Sequence, residues 1–368
     1  MASTFDVCIR GDGIVGRAMA LLLAQQRLRV GLVQGPGADG AQFSDVRAYA
    51  INAASRSLLQ DLRAWPEGDA TTPVTGMRVH GDAGGQVHFE SAPQGQPALA
   101  WIADSGQLMS ALGDAIRYQP QVQLLSEAAP AELTVVCEGK ASATRAAQGV
   151  AYDITRYPQQ AIAARLSCEL PHGQVARQWF EDGQILALLP TGGEQGRSCA
   201  LVWSVRQERA AGLAALPAPD FETLITQASH GALGRLTLAS ERACWPLQRA
   251  TATRWCGPGW VLAGDAAHTV HPLAGQGLNL GLADVRELAQ VLHAREYWRS
   301  IGDERLLRRY ERARKGDVAA MQCLTGGLQM LFGQPARPWG LIRNWGMNAF
   351  ERLGPVKQWA ARQAAGHL

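Results

Sequence analysis

The chain has 368 residues, and its 35 Lys and Arg nearly match its 32 Asp and Glu, leaving a formal charge of +3. That balance argues against a nucleic-acid binder, and the length is enough for two domains and a large core. Hydrophobic residues make up 47% of the chain, yet no run approaches the roughly twenty consecutive apolar residues needed to span a bilayer. Met-Ala-Ser-Thr leads straight into the first strand, with no room for a signal peptide. The seven cysteines are scattered without a CxxC pair, so neither a disulfide framework nor a zinc site is expected. The expectation is a cytoplasmic protein.

Phe5–Arg10 is a short β-prone run. It is followed by Gly11-Asp12-Gly13-Ile14-Val15-Gly16 and the apolar helical pattern Ala18–Ala24, which is GxGxxG in the strand-to-helix context of a dinucleotide fingerprint. Gly11 permits the tight turn, Gly13 lets a pyrophosphate approach the backbone, and Gly16 allows close helix–strand packing. The second strand, Val30–Val33, ends at Gln34, where the fingerprint places an acid on the adenosine ribose; a glutamine accepts a hydrogen bond without charge assistance.

Further along, Met77–Phe89 alternates polar and apolar residues around Gly81 and Gly84-Gly85, the pattern of a hairpin. Gln107–Arg117 has helical spacing, and Leu133–Val136 is a strand that follows Tyr118 after only about fourteen residues. Ala161–Leu166, Val175–Phe180, Ile185–Leu189 and Cys199–Val205 are β-prone runs parted by turn clusters, which predicts an antiparallel sheet. Phe221–Ser229 reads as a helix, and Arg242–Thr251 returns the chain to the first region. Residues 283–368 are mostly helical, with a break at Pro335 and Pro338.

Residues 264–279, GDAAHTVHPLAGQGLN, carry the most information. The strand Trp260–Ala263 runs out to Asp265, then to a Pro/Gly-rich turn, then to a helix beginning near Leu278. Unpaired N–H groups at such a helix start favour an electron-rich ligand, and Gly275 and Gly277 clear the way for a flat ring. The plain alternative is an ordinary strand–turn–helix corner. His268 and His271 are candidates for acid–base work or for orienting the loop.

Taken together, these segments resemble the flavoprotein aromatic hydroxylases of the para-hydroxybenzoate hydroxylase superfamily, and within it the ubiquinone-biosynthesis hydroxylases. Gly11, Gly13 and Gly16 match the ADP-binding glycines. Asp45–Ile51 matches the segment whose arginine, here Arg47, lies beside the FAD. Val136–Arg145 matches a second motif, normally Asp-Gly followed by Ser and Arg, with Glu138 and Gly139 in the leading places. Ala176–Phe180 is similar to a substrate-domain strand, Gly264–Asn279 matches the third motif, and Tyr310, Arg314 and Leu328–Phe332 resemble the C-terminal helices.

The resemblance implies an α/β fold: a Rossmann-like FAD-binding domain (1–75, 100–150 and 256–300) interleaved with an antiparallel β-sheet substrate domain (76–99 and 151–255), plus C-terminal helices (301–368). It implies FAD as cofactor, NAD(P)H as a transient co-substrate, and O2 as the source of an oxygen atom placed on a hydrophobic aromatic substrate, a polyprenyl phenol of ubiquinone biosynthesis. Asp265 would accept hydrogen bonds from the ribityl chain, and the backbone of Gly275, Gln276, Gly277, Leu278 and Asn279 would face the isoalloxazine. Pro272 would shape the cavity where oxygen reacts, and Ser142 and Arg145 are further candidates for cofactor contact.

Three departures from the family weigh against tight FAD retention: Gln34, Glu138, and a connection before Leu133 too short for the β-meander that relatives carry. A flavin-dependent reductase of a prenyl or quinone substrate stays open, as does a non-catalytic FAD- or lipid-binding subunit of a quinone-biosynthesis complex. Residues 337–368 intersperse Trp339, Trp345, Phe350 and Trp359 with Arg337, Arg343, Arg352, Lys357 and Arg362. Such a segment suits peripheral contact with the inner face of the membrane or with a biosynthetic complex, or else packs on the flavin domain.

Overall fold

The computed structural model describes residues 5–35, 45–81, 84–270 and 276–333. The chain opens with β1 (Phe5–Arg10), α1 (Ile14–Gln25) and β2 (Val30–Val33). Next come β3 (Ala48–Ile51), α2 (Ala53–Asp61), β4 (Thr71–Val74), β5 (Gly76–Gly81) and β6 (Gln86–Glu90). Then follow β7 (Ala100–Asp104), α3 (Ser105–Arg117), β8 (Val122–Leu125), β9 (Ala131–Val136) and α4 (Ala143–Ala147). β10 (Tyr152–Cys168), β11 (Val175–Glu181), β12 (Gln184–Thr191) and β13 (Ser198–Arg206) lead to α5 (Gln207–Ala215) and α6 (Ala218–Ala228). β14 (Leu236–Leu238), β15 (Ala243–Ala252), β16 (Cys256–Gly257), β17 (Trp260–Leu262) and β18 (His268–Thr269) precede α7 (Gly277–His293) and α8 (Glu304–Gly333).

Three sheets organise these elements. The first has the order β16-β17-β9-β1-β2-β8, with every pair parallel except β16–β17. Taking its parallel strands in chain order, the arrangement is that of a Rossmann sheet, in which the order reverses beside the first strand and leaves a crevice at the carboxyl ends. Val7, Ile9, Val30, Leu32, Leu133 and Val135 are fully buried, as expected of parallel strands covered on both faces. Helices α1 and α7 contribute Met19, Leu23, Val285 and Leu288 to the same core.

The second sheet has nine strands and is antiparallel except where β5 pairs parallel with β11. β10 is its longest strand. Its register against β15 shifts between Arg156 and Gln160, around Pro158, which has no N–H to give to a ladder. Its core is separate, built on Ile162, Trp179, Leu201, Trp203 and Phe221. The small third sheet, β3-β7-β4, is antiparallel throughout.

The segment before Leu133 holds more order than its residue pattern predicts. Among the described residues it contains β8, which completes the edge of the parallel sheet, and no further strand. Its residues lack apolar–polar alternation because an edge strand of this length buries little of either face.

Candidate functional site

The carboxyl ends of β1, β9 and β17 lie side by side, and each continues into a loop marked by the sequence. The Cys137 N–H donates to the Arg10 carbonyl at 2.7 Å and the Ala263 N–H to the Val136 carbonyl at 3.0 Å, so the three loops leave the sheet in register. The glycines of the first loop divide into two kinds. A Cβ on Gly16 would sit 1.8 Å from the Gly11 carbonyl oxygen, and one on Gly11, whose φ is +105°, would sit 2.5 Å from the Cys137 carbonyl oxygen. Both positions are closed to any side chain. A Cβ on Gly13 would meet nothing within 4 Å. Gly13 thus borders open space at the start of α1, where a diphosphate needs to approach the backbone.

Two helix starts converge there. Neither α1 nor α7 has a side-chain cap, in contrast to α2, α3 and α4, which are capped by Asn52, Asp104 and Ser142. Val15 of α1 packs against Gly264 and Gly281, whose missing side chains allow the close approach: a Cβ on Gly281 would lie 2.7 Å from Val15. The uncapped N–H groups of both helices are suited to anionic or electron-rich groups.

The third loop crosses between sheets. After β17, Gly264 turns with φ +61°, and the chain passes Asp265 and Ala266 before β18 joins the nine-stranded sheet through Ala250–Thr269 and Thr251–His268 pairing. Asp265 therefore lies where the parallel and antiparallel sheets meet. No hydrogen bond to its carboxylate comes from a described residue. Burial pushes that carboxyl above the usual carboxylate range, against the pull of Lys140, His268 and Arg47. A partly buried acceptor with open valence is what a polyhydroxyl chain would satisfy.

His268 is enclosed within the fold. Its ring is buried, stacks on Trp255 with centroids 5.0 Å apart, and lies with Nε2 2.6 Å from the Asp284 carboxylate. Asp284 also accepts from the Gly264 N–H at 2.8 Å and from Arg314 Nε at 2.7 Å. Burial opposes its ionisation, yet His268 and Arg314 outweigh that and hold the carboxyl below its usual range. Tyr310 donates to the Leu262 carbonyl at 3.0 Å, so α8 fixes both the end of β17 and the turn after it.

Other residues expected at the cofactor have their side chains engaged within the chain. Glu138 accepts from Arg10 Nε (2.9 Å), Ser142 Oγ (2.7 Å), the Thr144 N–H (2.9 Å) and Thr144 Oγ1 (2.6 Å). Asn279 is buried; its oxygen accepts from the Asn52 N–H at 3.1 Å and its amide donates to the Ala50 carbonyl at 2.8 Å. It thereby clamps α7 to the segment carrying Arg47. That arginine is half-exposed and forked onto Asp45, with a shortest contact of 2.6 Å. Its backbone carbonyl accepts from Arg165 of the nine-stranded sheet at 3.0 Å. Gln34 ends β2 with an exposed side chain, its N–H donating to the Leu125 carbonyl.

Arg145 and Ser142 act as braces. Arg145 is buried and donates to the Ala266 and Lys140 carbonyls at 3.0 and 2.8 Å, while Ser142 caps α4 by accepting from the Arg145 N–H. Gln276, Gly277 and Leu278 form the start of α7. His271, Pro272, Gly275 and the 337–368 segment lie outside the described residues. Asp284 and Tyr152, whose hydroxyl donates to the Asp265 carbonyl at 2.8 Å, were not anticipated. An acid on the apolar stripe of α7, four residues from Leu280 and four from Leu288, was the available signal for Asp284.

Comparison with known proteins shows the family. Residues 109–325 match the family model described as an FAD binding domain. The chain is 31% identical over 390 aligned positions to the ubiquinone hydroxylase UbiL of Rhodospirillum rubrum, covering 99% of this chain and 90% of that protein. It is likewise 31% identical to the 3-demethoxyubiquinol 3-hydroxylase of Escherichia coli, covering 98% of each. Among solved structures, PqsL of P. aeruginosa in complex with 2-aminobenzoylacetate superposes with a TM-score of 0.78 at 21% identity, over 92% of this chain and 99% of that one. The p-nitrophenol 4-monooxygenase PnpA of Pseudomonas putida gives 0.77 at 15% identity, over 99% and 98%. The chain belongs to the FAD-dependent hydroxylases of ubiquinone biosynthesis and is a flavoprotein monooxygenase.

Proposed function

We propose that this enzyme hydroxylates the ring of a polyprenyl phenol, using NAD(P)H and O2, with its FAD held across the crevice at the ends of β1, β9 and β17. The observation that carries the reading is the convergence of two uncapped helix starts with Asp265, whose carboxylate takes no hydrogen bond from a described residue. Bound FAD supplies a two-electron store filled by NAD(P)H and a site where O2 is activated for transfer to the ring. Gly13 would seat the diphosphate in the turn that Gly11 and Gly16 shape, Asp265 the ribityl hydroxyls, and the N–H groups from Gln276 to Asn279 the pyrimidine edge. There the partial positive charge of the α7 start would favour an electron-rich group.

His268 is assigned to positioning, through Asp284, with no proton transfer to substrate. Glu138 and Asn279 hold the loops that meet the cofactor, and Arg47 reaches it by exchanging Asp45 for the incoming ligand. A prenylated substrate places its tail in lipid while its ring enters the protein. Contact of the 337–368 segment with a membrane surface is the matching expectation; equal liposome flotation by the intact chain and by a truncation at Pro335 refutes it.

The experiment is reconstitution with FAD followed by aerobic NAD(P)H oxidation with a polyprenyl phenol. Substrate-stimulated oxidation with hydroxylated product supports the proposal, whereas anaerobic turnover of a prenyl olefin supports a reductase instead.

A further inference from the structure

Lys140 sits just past the Gly139 turn at the end of β9. Gly139 has φ +75°, and a Cβ there would meet nothing within 4 Å, so the turn borders open space. One buried guanidinium fixes its place: Arg145 bonds the Lys140 carbonyl on one side and the Ala266 carbonyl on the other. The face of that guanidinium lies 3.7 Å from the centre of the Tyr152 ring, and Tyr152 in turn donates to the Asp265 carbonyl. The Lys140 turn and the Asp265 turn are two arms of a single brace.

The charges at this edge are unevenly matched. Arg10 lies 2.9 Å from Glu138, Arg17 lies 3.7 Å from Asp12, and Arg47 lies 2.6 Å from Asp45. The Lys140 side chain is exposed and has no ion pair or hydrogen bond with a described residue. Its charge is nonetheless the strongest favourable one acting on the Asp265 carboxyl. A dinucleotide brings a diphosphate into this edge, where Gln34 is neutral and Glu138 already has four donors. An ammonium on a flexible stem meets a phosphate as a point charge, without the fixed geometry an arginine fork demands.

We propose that Lys140 is an anchor for the FAD diphosphate, supplying from the β9 turn a cation that is not already committed to a carboxylate of the described residues. This rests on the FAD placement given above. Tethering the cofactor beside Asp265 also lets one cation serve two anions, the phosphate and the carboxylate.

The test is titration of apoprotein with FAD, read by flavin fluorescence, for wild type, Lys140→Ala, Lys140→Arg and the remote charge control Arg209→Ala, at low and high salt. Lys140→Ala is expected to weaken FAD binding about five- to tenfold at low salt, with the deficit shrinking as salt screens the contact. Lys140→Arg should stay within about twofold of wild type, because the charge is kept. Arg209→Ala should bind as wild type does, and all apoproteins should share one unfolding midpoint. Unchanged FAD affinity in Lys140→Ala, an equal loss in Arg209→Ala, or an effect confined to NAD(P)H affinity overturns the proposal. Gly13→Val separates the two levels. If it abolishes FAD binding while Lys140→Ala does not weaken it, the anchor alone is refuted; if wild type takes up no FAD, the placement of the site falls with it.

Discussion

Replacing Asp284 by Asn removes a charge that three buried donors share. The carboxylate is fully buried and holds the Gly264 N–H, His268 Nε2 and Arg314 Nε at 2.6–2.8 Å. Arg314 is also buried and keeps one other carboxylate, Asp317, at 2.5 Å. An asparagine turns its amide nitrogen towards donors it cannot bond and leaves Arg314 half-compensated. Breaking a buried ion pair by removing one partner costs about 3–5 kcal/mol. For a chain of 368 residues such a loss corresponds to a fall of roughly 4–6 °C in unfolding midpoint.

The Gly264–Asp265 turn loses its tether in the same step, so flavin release should precede global unfolding. The pH dependence carries a sign. The folded carboxyl is held below its ordinary value of 3.8, so its contribution is complete above that value and is lost as pH falls through the lower folded one. Wild type should therefore lose stability in acid more steeply than Asp284→Asn. The assay is thermal unfolding followed by far-ultraviolet circular dichroism, with flavin fluorescence in parallel, from pH 7 downwards in steps. A variant whose midpoint lies within about 1 °C of wild type, with the same flavin release, refutes the tether.

Gly16→Ala should fail to fold or lose several °C, because its Cβ meets a backbone oxygen at 1.8 Å, whereas Gly13→Ala should leave the apoprotein's midpoint unchanged and weaken FAD binding; both are read by calorimetry and flavin titration. Asp265→Asn should stabilise the apoprotein at neutral pH by about 1 kcal/mol while reducing FAD affinity. The sign follows from a carboxyl raised by burial: the stability of its protonated form is complete below the unfolded-state value and is lost as pH rises through the folded one. Urea unfolding with and without FAD checks it, and a less stable apoprotein counts against the argument. Arg145→Ala should release the Lys140 and Ala266 carbonyls together, costing about 2–4 kcal/mol by the same denaturation assay; a loss below about 1 kcal/mol contradicts its role as a brace.

Those parts of the site that rest on sterics were readable from residues alone. Gly11 and Gly16 are glycines because a backbone oxygen occupies the place of a side chain, and that demand leaves a fixed spacing in the sequence. The strand Phe5–Arg10 and the runs from Ala161 to Val205 were legible because burial on the faces of a sheet forces apolar residues into them. Parts that rest on tertiary pairing were not. Asp284 and Arg314 are thirty residues apart on different helices, and neither position reveals that Arg314 and His268 share the buried Asp284 carboxylate. Arg145 and Glu138 carry motif positions associated with the cofactor, yet their side chains bond the chain itself. Lys140 follows no rule of spacing and becomes visible only once Arg145 ties its turn to Ala266.

On the proposed function, the crevice holds FAD and the enzyme uses it to place an oxygen atom from O2 on a phenolic ring. The direct measurement is turnover of FAD-loaded protein with NAD(P)H and a polyprenyl phenol under isotopically labelled O2, followed by mass spectrometry of the product. The expected result is a hydroxylated ring carrying the label, with none when the label is in water. A hydroxyl drawn from water, or turnover that proceeds without O2, contradicts it.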